Sequence, residues 1–286
     1  MIGIGLGMMT VRNGRRGGVA AQPPASDPLQ ALKTKHYGAG GLGLVALPLP
    51  QIAGVQNLFQ DEFLAVPTLV DGDPVRTITD ASGNGNVLIS LTSAARGTYR
   101  TDGTYHWIDT DGSDDGWIVT SRDSMKWATH NAANAARYTS YYALQTMTAK
   151  TANSLGGFAI GNTPVESVCG DFFRASGELV HRAGNFNDAM KAIYTPNLNN
   201  ASFITATDNQ PGFGARWHLN GVANTFKSET AQGPLSAANW GLMIQGNGGF
   251  PTESKFYGSF HHEGAYDPEV FDYLASLMPP LDEFTL

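Results

Sequence analysis

The stretch Arg216-Trp217-His218-Leu219-Asn220-Gly221-Val222-Ala223-Asn224-Thr225-Phe226 decides the fold. Asn220-Gly221 sits between two strand-like runs. A type I′ turn needs positive φ at both central positions, and Asn and Gly meet that need at the lowest steric cost. The stretch therefore predicts a tight antiparallel hairpin. Working outward, short apolar or alternating runs recur between turn residues: Tyr138 to Met147, Gly156 to Ile160, Phe203 to Ala206, Trp240 to Gln245 and Lys255 to His261. Runs of this length and period read as strands.

Only two segments read as helix. Asp27-Pro28 leads LQALKTKH, with a capping carboxylate at Asp27 or a hydroxyl at Ser26, proline at the first helical position and Gly38 past the end. Asp267-Pro268-Glu269 through Leu277 repeats the pattern, with Leu274 and Leu277 expected to face inward and Pro279-Pro280 as the stop. Many strands and two small helices predict an all-β protein, an antiparallel two-sheet jelly-roll sandwich with an extended N-terminal arm.

Composition agrees. Hydrophobic residues make up 42% of the chain and aromatics 10%, enough for a core, while charged residues are only 15%, against about 25% in an average protein. The surface must then be mostly neutral and polar, and 34 glycines disfavour long helices. The net charge of -7 is uneven: residues 1–60 carry +4 and the remainder -11. An acidic body repels nucleic acid and anionic membranes, and a basic arm suits an acidic protein surface. Cys169 is the only cysteine, which excludes an intrachain disulfide and a cysteine-rich zinc site and suits folding in a reducing cytoplasm. The arginines of the N-terminal stretch follow its apolar residues, the reverse of a secretory signal. No window reaches the roughly 18 apolar residues of a membrane span.

Three regions follow. Residues 1–25 form a basic, glycine-rich arm in which Ile2, Ile4, Leu6, Met8, Met9 and Val11 alternate with glycine or precede Arg12, Arg15 and Arg16. Such a segment builds no core of its own, so Ile2, Ile4, Leu6, Arg12, Arg15 and Arg16 are expected to anchor it on another subunit. Residues 26–56 read as a short helix and linker, and 57–286 as the sandwich. Gly38-Ala39-Gly40-Gly41-Leu42-Gly43 matches the dinucleotide-binding fingerprint, with Asp61 following. No apolar strand precedes it, and Pro48 and Pro50 stop the helix that would hold a pyrophosphate, so it reads as linker.

Several segments line up, in order, with one family. Leu58-Phe59-Gln60-Asp61, Asp73-Pro74-Val75, Asp80-Ala81-Ser82-Gly83-Asn84-Gly85-Asn86, Ala94-Ala95-Arg96-Gly97-Thr98-Tyr99 and Asp111-Gly112-Ser113-Asp114-Asp115 resemble phage-encoded laminin-G-like and concanavalin A-like proteins. Phe256-Tyr257-Gly258-Ser259 and the Asp267 helix resemble that family's last strand and closing turn. The resemblance covers residues 57–278. It departs at Gly97, where the family carries proline, and at Thr110, where it carries Phe. It implies a concanavalin A-like sandwich in a bacteriophage virion protein and says little about a ligand. Asp80 and Asn84 flank glycines and are expected to shape a turn.

Candidate chemistry is sparse. Asp109, Asp111, Asp114 and Asp115 offer hard oxygen ligands for calcium, but Asp114 stands where an EF-hand needs glycine and Thr120 where it needs glutamate, so a solvated turn is expected, with a lectin-type calcium site as the alternative, and no cofactor is assigned. A glycosidase on this sandwich needs carboxylates on one strand face; no such alternating run occurs, and Asp267 and Glu269, split by Pro268, read as a helix cap. His261 and His262 are strand neighbours that point to opposite faces and so do not chelate one ion. Cys169 reads as a small core residue. Trp107, Trp117, Trp127, Trp217, Trp240, Tyr141 and Tyr142 are the groups able to stack on sugar rings, although alternation assigns most of them to the core.

These readings predict a non-enzymatic virion surface protein: a capsid decoration, head-fibre or tail component made in the bacterial cytoplasm and oligomeric in the particle. Its arm meets other virion subunits, and its sandwich meets host glycans. The alternatives are a cement or adaptor protein without ligand and, behind it, a carbohydrate-active enzyme.

Overall fold

The computed structural model of the chain describes residues 27–119, 137–147, 153–159, 168–173, 179–182, 191–192, 200–210, 214–223, 227–228, 240–244 and 252–283. The arm residues Ile2, Ile4, Leu6, Arg12, Arg15 and Arg16, as well as Trp127, lie outside the described residues.

Helix α1 (Pro28–Tyr37) is followed by β1 (Gly43–Ala46) and a small ribbon, β2 (Gln51–Ile52) with β3 (Val55–Gln56). Then come β4 (Leu58–Phe59), β5 (Pro74–Val75), β6 (Thr77–Thr79), β7 (Val87–Ser90), β8 (Gly97–Thr101), β9 (His106–Asp111) and β10 (Trp117–Val119). The second half holds β11 (Tyr138–Thr146), β12 (Asn153–Ala159), β13 (Val168–Phe173), β14 (Leu179–Arg182), β15 (Lys191–Ala192), β16 (Ser202–Gln210) and β17 (Gly214–Leu219). β18 (Val222–Ala223), β19 (Lys227–Ser228), β20 (Trp240–Leu242), β21 (Glu253–Glu263) and α2 (Pro268–Ala275) complete the described elements.

One sheet runs β18-β17-β16-β11-β21-β9-β8-β5, with β1 also on β21 and β19 on β17; the other runs β15-β14-β13-β12-β20-β10-β7-β6-β4. The described pairings are antiparallel. The fold is an all-β, antiparallel two-sheet jelly-roll sandwich. Tyr99, Ile108, Trp117, Tyr142, Phe203, Trp217, Trp240 and Phe256 fill the space between the sheets. A second cluster lies on the outer face of the first sheet, where Leu29 and Leu32 of α1 and Val270 and Leu274 of α2 cover Val45, Tyr141, Ile204 and Phe260.

The predicted hairpin is present: Asn220 and Gly221 have φ of 47° and 81°, and Leu219 pairs with Val222. Both helices start where their caps place them. Asp27 Oδ1 accepts the Leu29 N–H at 3.0 Å, and Asp267 Oδ1 accepts the Glu269 N–H at 3.1 Å. In α2 the inward residues are Val270 and Leu274, while Leu277 is half-buried.

Residues 43–46, which composition reads as glycine-rich linker, form β1 and pair with Ser259 to His262 of β21. Leu44, Val45, Ala46 and Leu47 are fully buried, each large one contributing roughly 1.5–3 kcal/mol. Gly43 is required here, since a Cβ would meet the His261 carbonyl oxygen at 2.0 Å. The Asp80–Asn86 loop fastens this strand: Asp80 Oδ1 accepts the Val45 N–H at 2.9 Å, and Asn84 and Asn86 donate to the Gly43 carbonyl at 3.0 and 3.1 Å. The expected turn thus also serves as a clamp.

Gly97 and Thr110 each have a local structural reason. A Cβ at Gly97 would meet Ile108 Cγ2 at 2.5 Å and Trp117 Cη2 at 2.9 Å, so the backbone there passes directly under the core. Thr110 is buried, and its hydroxyl donates to the Thr252 carbonyl at 2.5 Å and accepts the Ser254 N–H at 3.1 Å, tying β9 to β21.

Candidate functional site

The outer face of the first sheet has a covered half under the helices and an uncovered end on β8, β9 and the start of β21. Alternation sets what the uncovered end shows. Ile108 and Tyr99 point into the core, so Trp107, Asp109 and Arg100 point outward. Phe256 stays inside, so alternation turns its two neighbours Lys255 and Tyr257 to this face.

Register then assembles a ladder. Arg100 lies opposite Trp107, and Asp109 opposite Lys255. Trp107 Nε1 donates to Asp109 Oδ1 at 2.8 Å, Arg100 Nε donates to Asp109 Oδ2 at 3.2 Å, and Arg100 Nη1 reaches Asp71 Oδ2 at 3.3 Å. Lys255 Nζ stands 5.2 Å from the Trp107 ring centroid, and the Tyr257 ring lies 6.2 Å away on a tilt. Burial pushes the Tyr257 hydroxyl up to about 12. The result is a half-buried indole ringed by a guanidinium, an ammonium and two carboxylates. Such a set offers a stacking face and charged hydrogen bonds in both directions, the chemistry that carbohydrate recognition uses.

The covered half holds a different cluster. Asp267 accepts from Lys35 Nζ and His36 Nε2, both at 2.8 Å, and its backbone is bonded to the Tyr141 hydroxyl. Burial would raise the Asp267 carboxyl, but Lys35, the Glu269 N–H and His36 together bring it below the usual range. The His36 ring lies 3.9 Å from that of His262, and His218 stacks on Tyr266 at 3.7 Å. Burial lowers His262 and His218 to about 4, and His261, on the core side, to about 3. His261 and His262 do point to opposite faces. His36, His262 and His218 lie where α1 and the segment leading into α2 meet the sheet, while His261 lies on the core side.

The acidic turn gathers Asp111, Asp114 and Asp115, whose oxygens lie within 4.8 Å of one another. Asp109 is not with them, since the ladder holds it. Asp115 is buried and accepts the Asp111 N–H at 2.8 Å; burial raises its carboxyl to about 6. The local bonds are those of a turn, as Asp111 also accepts the Ser113 N–H.

Of the aromatic candidates, Trp117, Trp217, Trp240, Tyr141 and Tyr142 are buried. Among the described tryptophans only Trp107 reaches the surface. Cys169 pairs with Phe158 in the second sheet. Sequence reading missed Arg100 and Lys255 as partners of Trp107, though strict alternation about Tyr99 and Ile108 would have put them on its face. No helix among the described residues is long and apolar enough to cross a membrane.

No protein-family model matches the chain, and no curated protein matches it. Among solved structures, the fold is similar to the binding domain of botulinum neurotoxin serotype D, with a TM-score of 0.55 and 8% identity over 87% of this chain and 52% of that one. It is also similar to Trypanosoma rangeli sialidase in its covalent complex with 2,3-difluorosialic acid, with a TM-score of 0.50 and 9% identity over 85% of this chain and 34% of that one. The chain thus spans about half the length of the first and a third of the second. At these identities the likeness is one of fold.

Proposed function

We propose that the chain is a non-enzymatic bacteriophage virion surface protein. It is held on the particle through residues 1–25 and presents a lectin-like sandwich that binds host glycans at the uncovered end of the first sheet. The observation that carries the glycan reading is Trp107: the other described tryptophans fill the core, while this one stands half-buried among Arg100, Asp109 and Lys255. The phage reading is supported by the ordered sequence elements from Asp80 to Asp115. The binding domain and sialidase folds are compatible with a carbohydrate-facing sandwich. The protein is made in the host cytoplasm and is oligomeric in the particle.

The test is a glycan array probed with the full chain and with Trp107→Ala. Binding to a defined glycan class by the native chain, lost in the variant, is expected; turnover of a host polysaccharide would overturn the non-enzymatic reading. Deleting residues 1–25 is expected to leave the sandwich folded and to exclude it from particles.

A second reading, a cement or adaptor protein without ligand, is favoured by one observation. Lys255 already stands over the indole, and Asp109 already accepts from Arg100 and Trp107, so the ladder satisfies itself. An array without binding, together with retained incorporation, selects this reading.

A further inference from the structure

The segment Gln60–Asp73 links edge strand β4 of one sheet to edge strand β5 of the other. Its backbone is held throughout. Asp61 accepts the N–H groups of Phe63, Ala65 and Val66 at 2.8, 3.1 and 2.7 Å, and Asp73 accepts those of Leu69 and Val70 at 2.9 and 3.0 Å. Thr68 is fully buried, its N–H donating to the Leu58 carbonyl at 2.9 Å. Thr77 donates to the Asp61 carbonyl at 2.7 Å, and the Gly72 N–H donates to the Tyr99 carbonyl at 2.9 Å.

On this fixed backbone the large apolar side chains face water. Phe63 is 80% exposed, Val70 62% and Leu69 54%, with Leu64 and Val66 exposed beside them. Scattered apolar residues on a surface need no explanation, but five within eight residues of a pre-organised loop point to a docking surface. Leu64 is even held at a φ of 61°, which a branched side chain adopts only under constraint.

The rim narrows the partner. Residues 60–73 carry Asp61, Glu62, Asp71 and Asp73 and neither Lys nor Arg; Arg76 pairs with Glu62 and Arg100 with Asp71, which leaves the loop with the net negative charge of Asp61 and Asp73, so an anionic bilayer is disfavoured and an apolar segment flanked by basic residues is matched. This chain contains such a segment. Residues 1–25 place Ile2, Ile4, Leu6, Met8, Met9 and Val11 ahead of Arg12, Arg15 and Arg16, with no acidic residue. At about 3.3 Å per residue, the arm spans up to roughly 80 Å from α1, enough to reach a neighbouring molecule.

We propose that the Gln60–Asp73 loop is the docking surface for the N-terminal arm of a second copy of this chain. This rests on the reading of residues 1–25 as a docking element and names its receptor. Phe63, Leu64, Val66, Leu69 and Val70 receive the apolar half of the arm, and the net negative charge that Asp61 and Asp73 leave on the loop attracts its arginines. Because each copy carries one arm and one loop, the contact is heterologous and propagates along an assembly.

The test uses two full-length variants. Arg12→Glu with Arg15→Glu and Arg16→Glu spoils the arm and keeps the loop; Phe63→Ser with Val70→Ser spoils the loop and keeps the arm. Sedimentation is expected to show self-association of the native chain that weakens with salt. Each variant alone should associate roughly a hundredfold or more weakly, since buried anchors dominate such contacts. Mixing the two variants is expected to restore a 1:1 pair through one intact arm and one intact loop. Circular dichroism matching the native chain confirms that both variants are folded. A native chain monomeric at all concentrations, undiminished association of either variant, a mixture without pairing, or loop-dependent binding to phosphatidylserine vesicles would each overturn the proposal. Particle incorporation and glycan binding are read separately, so complementation in purified protein survives if the virion reading fails.

Discussion

The imidazole of His36 on α1 lies against that of His262 on β21, with ring centroids 3.9 Å apart and planes inclined at 32°. The His262 ring is buried, and the His36 side chain, 9% exposed, bonds Asp267. Burial lowers both His36 and His262, and in His262 the neighbouring His36 adds to that effect.

Burial first of all lowers His262 and His218 to about 4 and His261 to about 3, while the unfolded value is about 6.5. Between those limits the unfolded chain binds protons that the folded chain refuses, so stability is fully present above pH about 6.5 and is lost as pH falls towards 4. Asp115, raised to about 6, and the raised Asp80 act in the opposite direction over part of this window, but three histidines outweigh them. The melting temperature is expected to be flat above neutrality and to fall between pH 6.5 and 4, less steeply in His218→Phe. A melting temperature that rises on acidification to pH 4.5 would contradict this.

Asp80 is the post to which β1 is tied. Its carboxylate accepts the Val45 N–H at 2.9 Å, the Ser82 N–H and hydroxyl at 2.8 and 2.7 Å, and the Asn86 amide at 2.6 Å. Asp80→Ala leaves several shielded donors without partners, each costing roughly 1–3 kcal/mol. Denaturant titration should show a loss of at least about 3 kcal/mol, and hydrogen exchange should speed first at Leu44–Leu47. A loss below about 1 kcal/mol would mean that β1 is held by packing alone.

The extent to which sequence disclosed this molecule has physical causes. Asn220-Gly221 and the Asp-Pro helix starts were legible because their signals are local: a φ requirement and a cap. β1 was not, because Leu44, Val45 and Ala46 are buried on both faces, between the core and the helix layer, and so show no alternation. The apolar run Phe63 to Val70 lies in a loop with its side chains in water, the reverse of what its composition suggests. The contact of His36 with Asp267 spans 231 residues and leaves no local trace. Trp107 was named as one aromatic among several; only the register of β8, β9 and β21 singles it out.

The hairpin offers a local check. Asn220 Oδ1 accepts the Ile204 N–H at 2.8 Å, and its Nδ2 donates to the Asp282 carbonyl at 2.8 Å, in addition to its positive φ. Gly221 has the Phe271 ring 3.5 Å from a built Cβ, so the space tolerates a side chain and the backbone angle does not. Gly221→Val is expected to cost about 1–2 kcal/mol and Asn220→Ala about as much. Unchanged melting temperatures would show that the turn is not under this constraint.

The acidic turn is expected to function without a metal ion. Asp115→Asn keeps an acceptor for the Asp111 N–H and removes a buried charge, so it should stabilise slightly above pH 6, and chelators should leave the melting temperature unchanged. A clear drop on adding chelator would instead establish an ion at Asp111, Asp114 and Asp115.

The central claim, that the uncovered end of the first sheet binds a glycan through Trp107, is tested most directly by tryptophan fluorescence during titration with the array's strongest glycan. The other described tryptophans are buried in the core, so a saturable emission shift is expected from the native chain. Trp107→Phe, which keeps a ring but removes the Nε1–H that bonds Asp109, is expected to abolish the shift and, by calorimetry, weaken binding by at least roughly tenfold, about 1.4 kcal/mol. Native affinity in Trp107→Phe and in Arg100→Ala, with unchanged circular dichroism, would contradict the account.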